Sequence, residues 1–460
     1  MIICTFNSDS QNSIFLKKNI FLVIFFAIAF TPLKAQNGYH ILNNKSKKER
    51  VKFKLINNLI VIPLVINEKK LSFILDSGVS KTILFNISQN DSIGLNNVKT
   101  VKLQGLGNGE AVDALLSKNN KVNIKSIENY NETIYVILKD YFDLSGKMGT
   151  TIHGIIGYNI LKNFVVKINY KYKYIDFYKA KNFKYSKCKK CEVFPIQFYR
   201  KKPYIKTKVQ LDTISNKLTD VTLLVDSGGS DAIWLFEHTK KEIITPNLFF
   251  RDILGEGLSG SIYGNRSRIP MLKLKSFEVK QPTVSFLDSI STRNARNFKT
   301  RNGSIGGGIL KRFIVWFDYP NKRMTLKKQS SLTKRFNYNM SGLVIVYNGK
   351  QLVREEEKKS FTDGYNNKVQ DNNTVSFISR FSYKFKPSFK VKSVLKNSPA
   401  EKAGILKDDI ILKLNGVPSY DYTLGKIIQK FQEKSGRKIR ITVERNGVKM
   451  KFQFRLEKRI

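Results

Sequence analysis

The sequence predicts a mainly β protein, built as two β-rich lobes from an internal duplication and followed by a C-terminal β unit with two helices. Three observations carry this. Blocks at residues 73–78 and 223–228 align at a shift of 150, and blocks at 154–166 and 303–315 at a shift of 149. Short apolar, β-branched runs broken by polar turns recur through both copies. After about residue 336 the repeat stops, and helix-start signals and an Asn-Gly hairpin turn mark a different unit.

The chain has 460 residues, enough for several domains, and 41% apolar residues with 32 Phe and 20 Tyr supply a core, which excludes a disordered chain. Lys plus Arg number 81 against 36 Asp plus Glu. The resulting net charge of +45 draws any protein non-specifically toward nucleic acid or anionic membranes. The basic residues are spread along the chain, and no zinc-finger spacing, aromatic RNA-binding signature or basic heptad is present, so no specific nucleic acid is expected as partner.

Residues 1–35 read as an export signal. Lys17 and Lys18 precede an apolar run from Ile20 to Phe30 that is too short to span a bilayer, and Ala35 offers a small residue at the cleavage point. An exported protein, periplasmic or secreted, is expected, with the mature chain starting near Gln36. The stretch before Lys17 is longer than the usual charged region that opens an export signal, so either the true start lies downstream of Met1 or the segment stays uncleaved as an anchor. No later run approaches the length of a transmembrane segment.

The first lobe is expected over 36–185. Leu59 to Ile66 and Leu71 to Leu75 read as a hairpin around the polar turn Asn67 to Lys70. Strands are also expected over Val122 to Ile127, Ile134 to Leu138, Phe164 to Ile168 and Tyr174 to Tyr178, with a short helix at Asn159 to Asn163. The second lobe, 186–330, opens near the spacing Cys188-Lys189-Lys190-Cys191. A zinc site needs four ligands, and with only His40, His153 and His238 and no second Cys pair the chain is expected to hold no metal. The Cys pair lies between β-rich segments and not at a helix start, so it reads as a small structural disulfide or two free thiols.

In both copies an apolar strand runs into an acidic turn: Ile74-Leu75-Asp76-Ser77-Gly78 and Leu224-Val225-Asp226-Ser227-Gly228. An Asp directly after a buried strand loses hydration unless hydrogen bonds or a partner compensate, and Gly permits a sharp turn. Average composition gives roughly 0.2 Asp-Ser/Thr-Gly triplets in a chain this long. Two at the same place in a duplication are not an incidental strand end.

These residues resemble the aspartic proteases of the retropepsin and pepsin type. In that family each lobe supplies an apolar strand ending in Asp-Thr/Ser-Gly, a flap hairpin, and an apolar pair followed by Gly and a short helix. Ile155-Ile156-Gly157 and Ser304-Ile305-Gly306 stand in the third place, and Gly105, Gly107, Gly255 and Gly257 fall where flaps belong. The resemblance covers about residues 45–330 and implies the two-lobed acid-protease barrel. It also implies a mechanism: Asp76 and Asp226 share one proton, one carboxylate activates a water and the other assists the peptide carbonyl, with no metal or other cofactor. Ser77 and Ser227 would hold the two loops together, and Gly78 and Gly228 would permit close approach. Ser304 replaces the usual apolar residue, and Gly306-Gly307-Gly308 reads as a flexible stretch. No flap aromatic stands near Gly105 to Gly109, while Tyr263 lies close to the second flap. Serine or cysteine hydrolase chemistry lacks a nucleophile beside an imidazole, and His153 reads as a packed or surface residue.

The remaining unit, 331–460, resembles a bacterial PDZ domain through Ser398-Pro399-Ala400-Glu401-Lys402-Ala403-Gly404-Ile405 and Asp408-Asp409-Ile410-Ile411-Leu412-Lys413-Leu414-Asn415-Gly416. Asp408 stands where Gly is common. Leu424 to Phe431 reads as an amphipathic helix, and Ile439 to Val443 and Met450 to Phe454 as strands around Asn446-Gly447. The resemblance implies a groove for an added peptide strand, with Gly342 and Leu343 as the loop that holds a terminal carboxylate. The polar stretch near 354–373 reads as an insertion. The leading expectation is an exported aspartic endopeptidase acting on polypeptides. The alternative is a peptide-binding protein of the same fold that does not cleave, and a third reading is a basic protein working at nucleic acid or membrane surfaces.

Overall fold

Each copy begins with a hairpin whose second strand ends at the aspartate. In the first copy β1 (Leu59–Ile66) and β2 (Lys69–Leu75) pair antiparallel, with Val61 opposite Ile74. Asn67 and Glu68 form the turn with φ of 42° and 72°. Positive φ at both positions matches the right-handed twist of the two strands. Farther along the chain come α1 (Leu144–Met148) and β3 (Gly154–Ile156), and β3 lies parallel to β2 with Ile156 opposite Leu75. The second copy repeats the plan with β4 (Lys202–Gln210) and β5 (Leu218–Val225), antiparallel with Tyr204 opposite Leu224. The hairpin of β6 (Phe250–Gly257) and β7 (Gly260–Arg268) follows. Then β8 (Arg301–Ile305) lies parallel to β5 with Ile305 opposite Val225. Strands flanked on both sides read as continuous apolar runs, which is why these segments stood out in the sequence.

The computed structural model describes residues 38–43, 45–87, 93–103, 110–138, 143–257, 260–361 and 376–460. Gly38 to Ile460 form one compact unit, mainly β. A six-stranded sheet joins the lobes: Phe164–Asn169 of one copy pairs antiparallel with Phe313–Asp318 of the other, Ile168 opposite Val315. One apolar core runs through both lobes, including Phe73, Val166, Leu223 and Phe317. Cys188 and Cys191 are joined in a disulfide just before the strand Cys191–Pro195. Among the described residues no helix is long and apolar enough to cross a membrane.

In the C-terminal unit β9 (Leu343–Phe361) is the edge of a sheet and pairs with β10 (Ser376–Val394). The helix α2 (Leu424–Lys430), capped by Thr423, packs Leu424 and Ile427 into a core with Ile345, Val391 and Phe431. Ser398 caps the helix Pro399–Lys402. Asp408 has φ 68°, which accounts for the frequency of Gly at its place.

Three expectations shift. Val122 to Ile127 is not one strand: Lys125, with φ 54°, turns the chain between Val112–Ile124 and Ile127–Val136. Buried Ile124 and Ile127 face each other across that turn, so the apolar pattern reads through it. The short helix spans Tyr158–Leu161. The polar stretch from Arg354 continues the pairing of β9 and β10 as far as Phe361 opposite Ser376, and residues 362–375 lie outside the described residues. Glu355 binds Lys384 at 2.9 Å and Lys386 at 2.8 Å across this ribbon.

Candidate active site

Asp76 and Asp226 sit at the ends of β2 and β5, where each strand has a parallel neighbour. The Asp76 N–H donates to the Ile156 carbonyl at 2.8 Å, and the Asp226 N–H to the Ile305 carbonyl at 2.9 Å. The turns then fold back on the carboxyls: Gly78 N–H donates to Asp76 Oδ1 at 2.6 Å and Gly228 N–H to Asp226 Oδ1 at 3.0 Å. The two serines lock the loops reciprocally. Ser77 Oγ donates to the Val225 carbonyl at 2.7 Å and accepts the Ser227 N–H at 2.9 Å. Ser227 Oγ donates to the Leu75 carbonyl at 2.8 Å and accepts the Ser77 N–H at 2.9 Å. Both serines are fully buried, so these four bonds replace all the water the groups lose.

The glycines set the approach. A Cβ on Gly228 would lie 2.2 Å from Asp76 Cγ, and one on Gly78 would lie 3.0 Å from Asp226 Oδ1. The two carboxyls therefore meet, each over the opposite loop, close enough for each to act on the other's charge. Asp76 is pushed well above the ordinary carboxyl range, first by burial and next by the charge of Asp226, with the Gly78 N–H and Lys202 acting in the opposite direction. Such a pair can hold one proton between two acids, which is the requirement for one base and one acid in the same site.

Gly157 and Gly306 stand where side chains cannot: a Cβ would meet the Asp76 carbonyl at 2.0 Å and the Asp231 carbonyl at 2.4 Å. Gly306, Gly307 and Gly308 are not a flexible stretch. Their N–H groups donate to Ala232, Gly229 and Asp231, and a Cβ on Gly307 would lie 2.2 Å from the Asn58 carbonyl of the other lobe. Ser304 lines a small cleft beside Asp226 with Gly229, Asp231, Ile233 and Trp234. Asp231 is anchored by Trp234 Nε1 at 2.8 Å and by Arg266 at 3.0 Å, and Arg266 also binds Asp252 at 3.0 Å, tying this loop to the β6–β7 hairpin.

Several neighbours of the pair escaped the sequence reading. Lys202 and Arg301 act on the charge of Asp226, and the buried Tyr319 hydroxyl is pushed up by burial and then by Asp76. Lys202 occupies the place of Leu59 in the first copy, but at a shift of 143 because the loop 211–217 lengthens the second hairpin, so a search at 150 passes over it. Of the flap residues, Gly105 and Gly107 lie outside the described residues. Gly255 and Gly257 lie on β6, opposite Ile262 and Gly260. Tyr263 pairs with Ile253 and is 43% exposed. His153 is half-buried, its Nδ1 accepting the Ser72 N–H at 3.1 Å. Among the described residues no group of three or more His, Cys, Asp or Glu could hold a metal.

At the C-terminal groove, Gly342 has φ 83° and a Cβ there would lie 2.1 Å from Ser398. The Leu343 N–H already donates to Ser341 Oγ at 3.0 Å, so that amide is engaged within its own loop. The edge strand β9 and helix α2 flank the place where a peptide strand would add, and both are met by the first lobe. Helix α1 packs against β9, and Gly149 abuts Leu424. Asp143 binds Lys392 on β10 at 2.9 Å.

Comparison with known proteins agrees with both halves. Residues 62–160 match the aspartyl protease family model, and residues 390–445 match the PDZ domain. The chain carries an aspartic-protease-like domain and a PDZ domain. A segment of 57 residues is 42% identical to a probable CtpA-like serine protease of Staphylococcus saprophyticus, covering 12% of each chain. An aspartic proteinase of Irpex lacteus aligns with 62% of this chain and 99% of its own at 13% identity and a TM-score of 0.41.

Proposed function

We propose that the protein is an exported aspartic endopeptidase in which Asp76 and Asp226 activate water for attack on a peptide bond, and that its PDZ domain binds or positions peptide segments. The observation that carries this reading is the pair of carboxyls that meet over the opposite loops, held by the reciprocal Ser77 and Ser227 bonds. With one proton on the pair, the charged carboxyl removes a proton from a water lying between them. The protonated one stabilises the carbonyl oxygen as attack proceeds, and the proton is then delivered to the leaving nitrogen. The shared-proton state exists only between the two apparent pKa values of the pair, so the rate rises and falls with pH. Export rests on the leader-like segment 1–35.

The test is cleavage of an unstructured polypeptide mixture from about pH 3 to about pH 8 by the mature chain, beside Asp76→Asn and Asp226→Asn. Each variant is expected to lose at least about a thousandfold in kcat/KM, and a peptide mimic with a hydroxyl at the scissile carbon is expected to inhibit the wild type. Cleavage indifferent to both changes means another site is at work. A folded wild type that cleaves nothing at any pH leaves the peptide-binding protein of the same fold.

A further inference from the structure

The two copies differ at one position beside the carboxyl pair. In the first copy, Val61 lies opposite Ile74, so two residues further the ladder brings Leu59 opposite Asp76. In the second, Tyr204 lies opposite Leu224, and the same step brings Lys202 opposite Asp226. Directly opposed residues of an antiparallel pair point to the same face, so the Lys202 side chain stands on the face that carries the Asp226 carboxyl. Leu59 is a buried apolar residue, while Lys202 is only partly exposed. The position beside the carboxyl is therefore apolar in the first lobe and cationic in the second.

The Lys202 ammonium has no hydrogen bond or ion pair among the described residues, although it lies close enough to feel both aspartates and to be repelled by Arg301 and Arg200. Arg301 is buried nearby. Its Nε donates to the Gly303 carbonyl at 3.2 Å, and its guanidinium lies over the rings of Tyr204 and Phe236, so it too has no carboxylate in contact. When the aspartates share a proton they carry one negative charge between them, against Lys202, Arg301 and the nearby Arg200. The corner is short of negative charge, and a half-buried ammonium without a direct hydrogen-bond partner is costly.

Resting on the endopeptidase reading, we propose that Lys202 is a specificity-determining residue that receives an acidic side chain of the substrate on the second-lobe side of the scissile bond. A Glu or Asp there restores the balance, and its carboxylate gains a charge-assisted hydrogen bond in a site shielded from water. A substrate Lys or Arg at the same place meets Lys202 and Arg301 and is rejected.

The experiment uses peptides centred on Leu-Phe that carry Glu, Gln or Lys at each flanking position in turn, with the wild type, Lys202→Met and Lys202→Glu. The wild type is expected to prefer Glu over Gln by about tenfold in kcat/KM at one position on one side of the bond only. Read as the ratio of kcat/KM between paired peptides, which cancels any effect on the carboxyl pair itself, Lys202→Met is expected to lose that preference and Lys202→Glu to invert it toward Lys. A wild type without acid preference, or a preference that survives Lys202→Met, overturns the proposal. The same peptides, fluorescently labelled, are titrated against Asp76→Asn/Asp226→Asn with and without Lys202→Met. If the wild type cleaves nothing, the endopeptidase reading fails, yet binding still decides this inference. Preference for Glu that Lys202→Met removes supports the cationic subsite, and equal binding of Glu and Gln peptides overturns it.

Discussion

Asp76 keeps its proton in the folded state to a pH well above that of an unfolded Asp. As the pH rises past the range where an unfolded Asp ionises, the unfolded chain releases that proton while the folded chain holds it. The unfolded state then binds fewer protons, so this contribution to stability is full at low pH and is lost until the folded group itself ionises. Asp76→Asn removes the effect. The variant is expected to gain stability relative to wild type at neutral pH and little or none near about pH 3, checked by thermal unfolding at both. Ser77→Ala leaves the Ser227 N–H and the Val225 carbonyl buried without partners, and a loss of about 2–4 kcal/mol in urea unfolding is expected. Asp76, Ser77 and Gly78 were legible in the sequence because their chemistry is local: a strand end, a hydroxyl and a tight turn in consecutive positions. Lys202, Arg301 and Tyr319 were not, because what matters about them is which carboxyl the fold brings near, and no local pattern records that.

The hairpins and the two parallel strands that flank the aspartates were legible for the same reason that they fold: each is an apolar run long enough for one strand and bounded by polar turn residues. The turn at Lys125 and Ser126 was hidden because neither residue is Gly or Asn and both flanking isoleucines are buried. The meaning of Gly306-Gly307-Gly308 was inverted, since conformational freedom and the absence of a side chain look alike in a sequence. Here the missing side chain counts: the turn just before β1, at Asn58, rests on Gly307, and Asn58 Nδ2 reaches the Ser230 carbonyl at 2.8 Å. Gly307→Ala drives a methyl against that backbone and is expected to cost about 1–3 kcal/mol, read by urea unfolding, with a fall in cleavage as the lobes separate.

Over the whole molecule, the lobes are joined by a shared sheet and a common core, so the carboxyl pair depends on both copies folding together. The disulfide closes too short a loop to govern this. Reducing Cys188–Cys191 is expected to cost about 2 kcal/mol, seen as a modest drop in melting temperature with cleavage retained.

The segment around α1 already lies against the edge of β9 and the first residue of α2. On the peptide-binding reading it is a tethered competitor, present at a local concentration that no dilution lowers. A soluble peptide entering beside β9 must displace it, and its apparent affinity is divided by the fraction of molecules whose groove stands open. Lys392→Glu turns the contact with Asp143 into a repulsion and is expected to tighten peptide binding about fivefold in calorimetric titration. Unchanged affinity in that variant would mean the groove and the lobe do not compete. By reciprocity, a peptide that takes the groove loosens the first lobe's hold on the domain by the same factor, so occupancy at one end of the chain is written into the freedom of the lobe that carries Asp76.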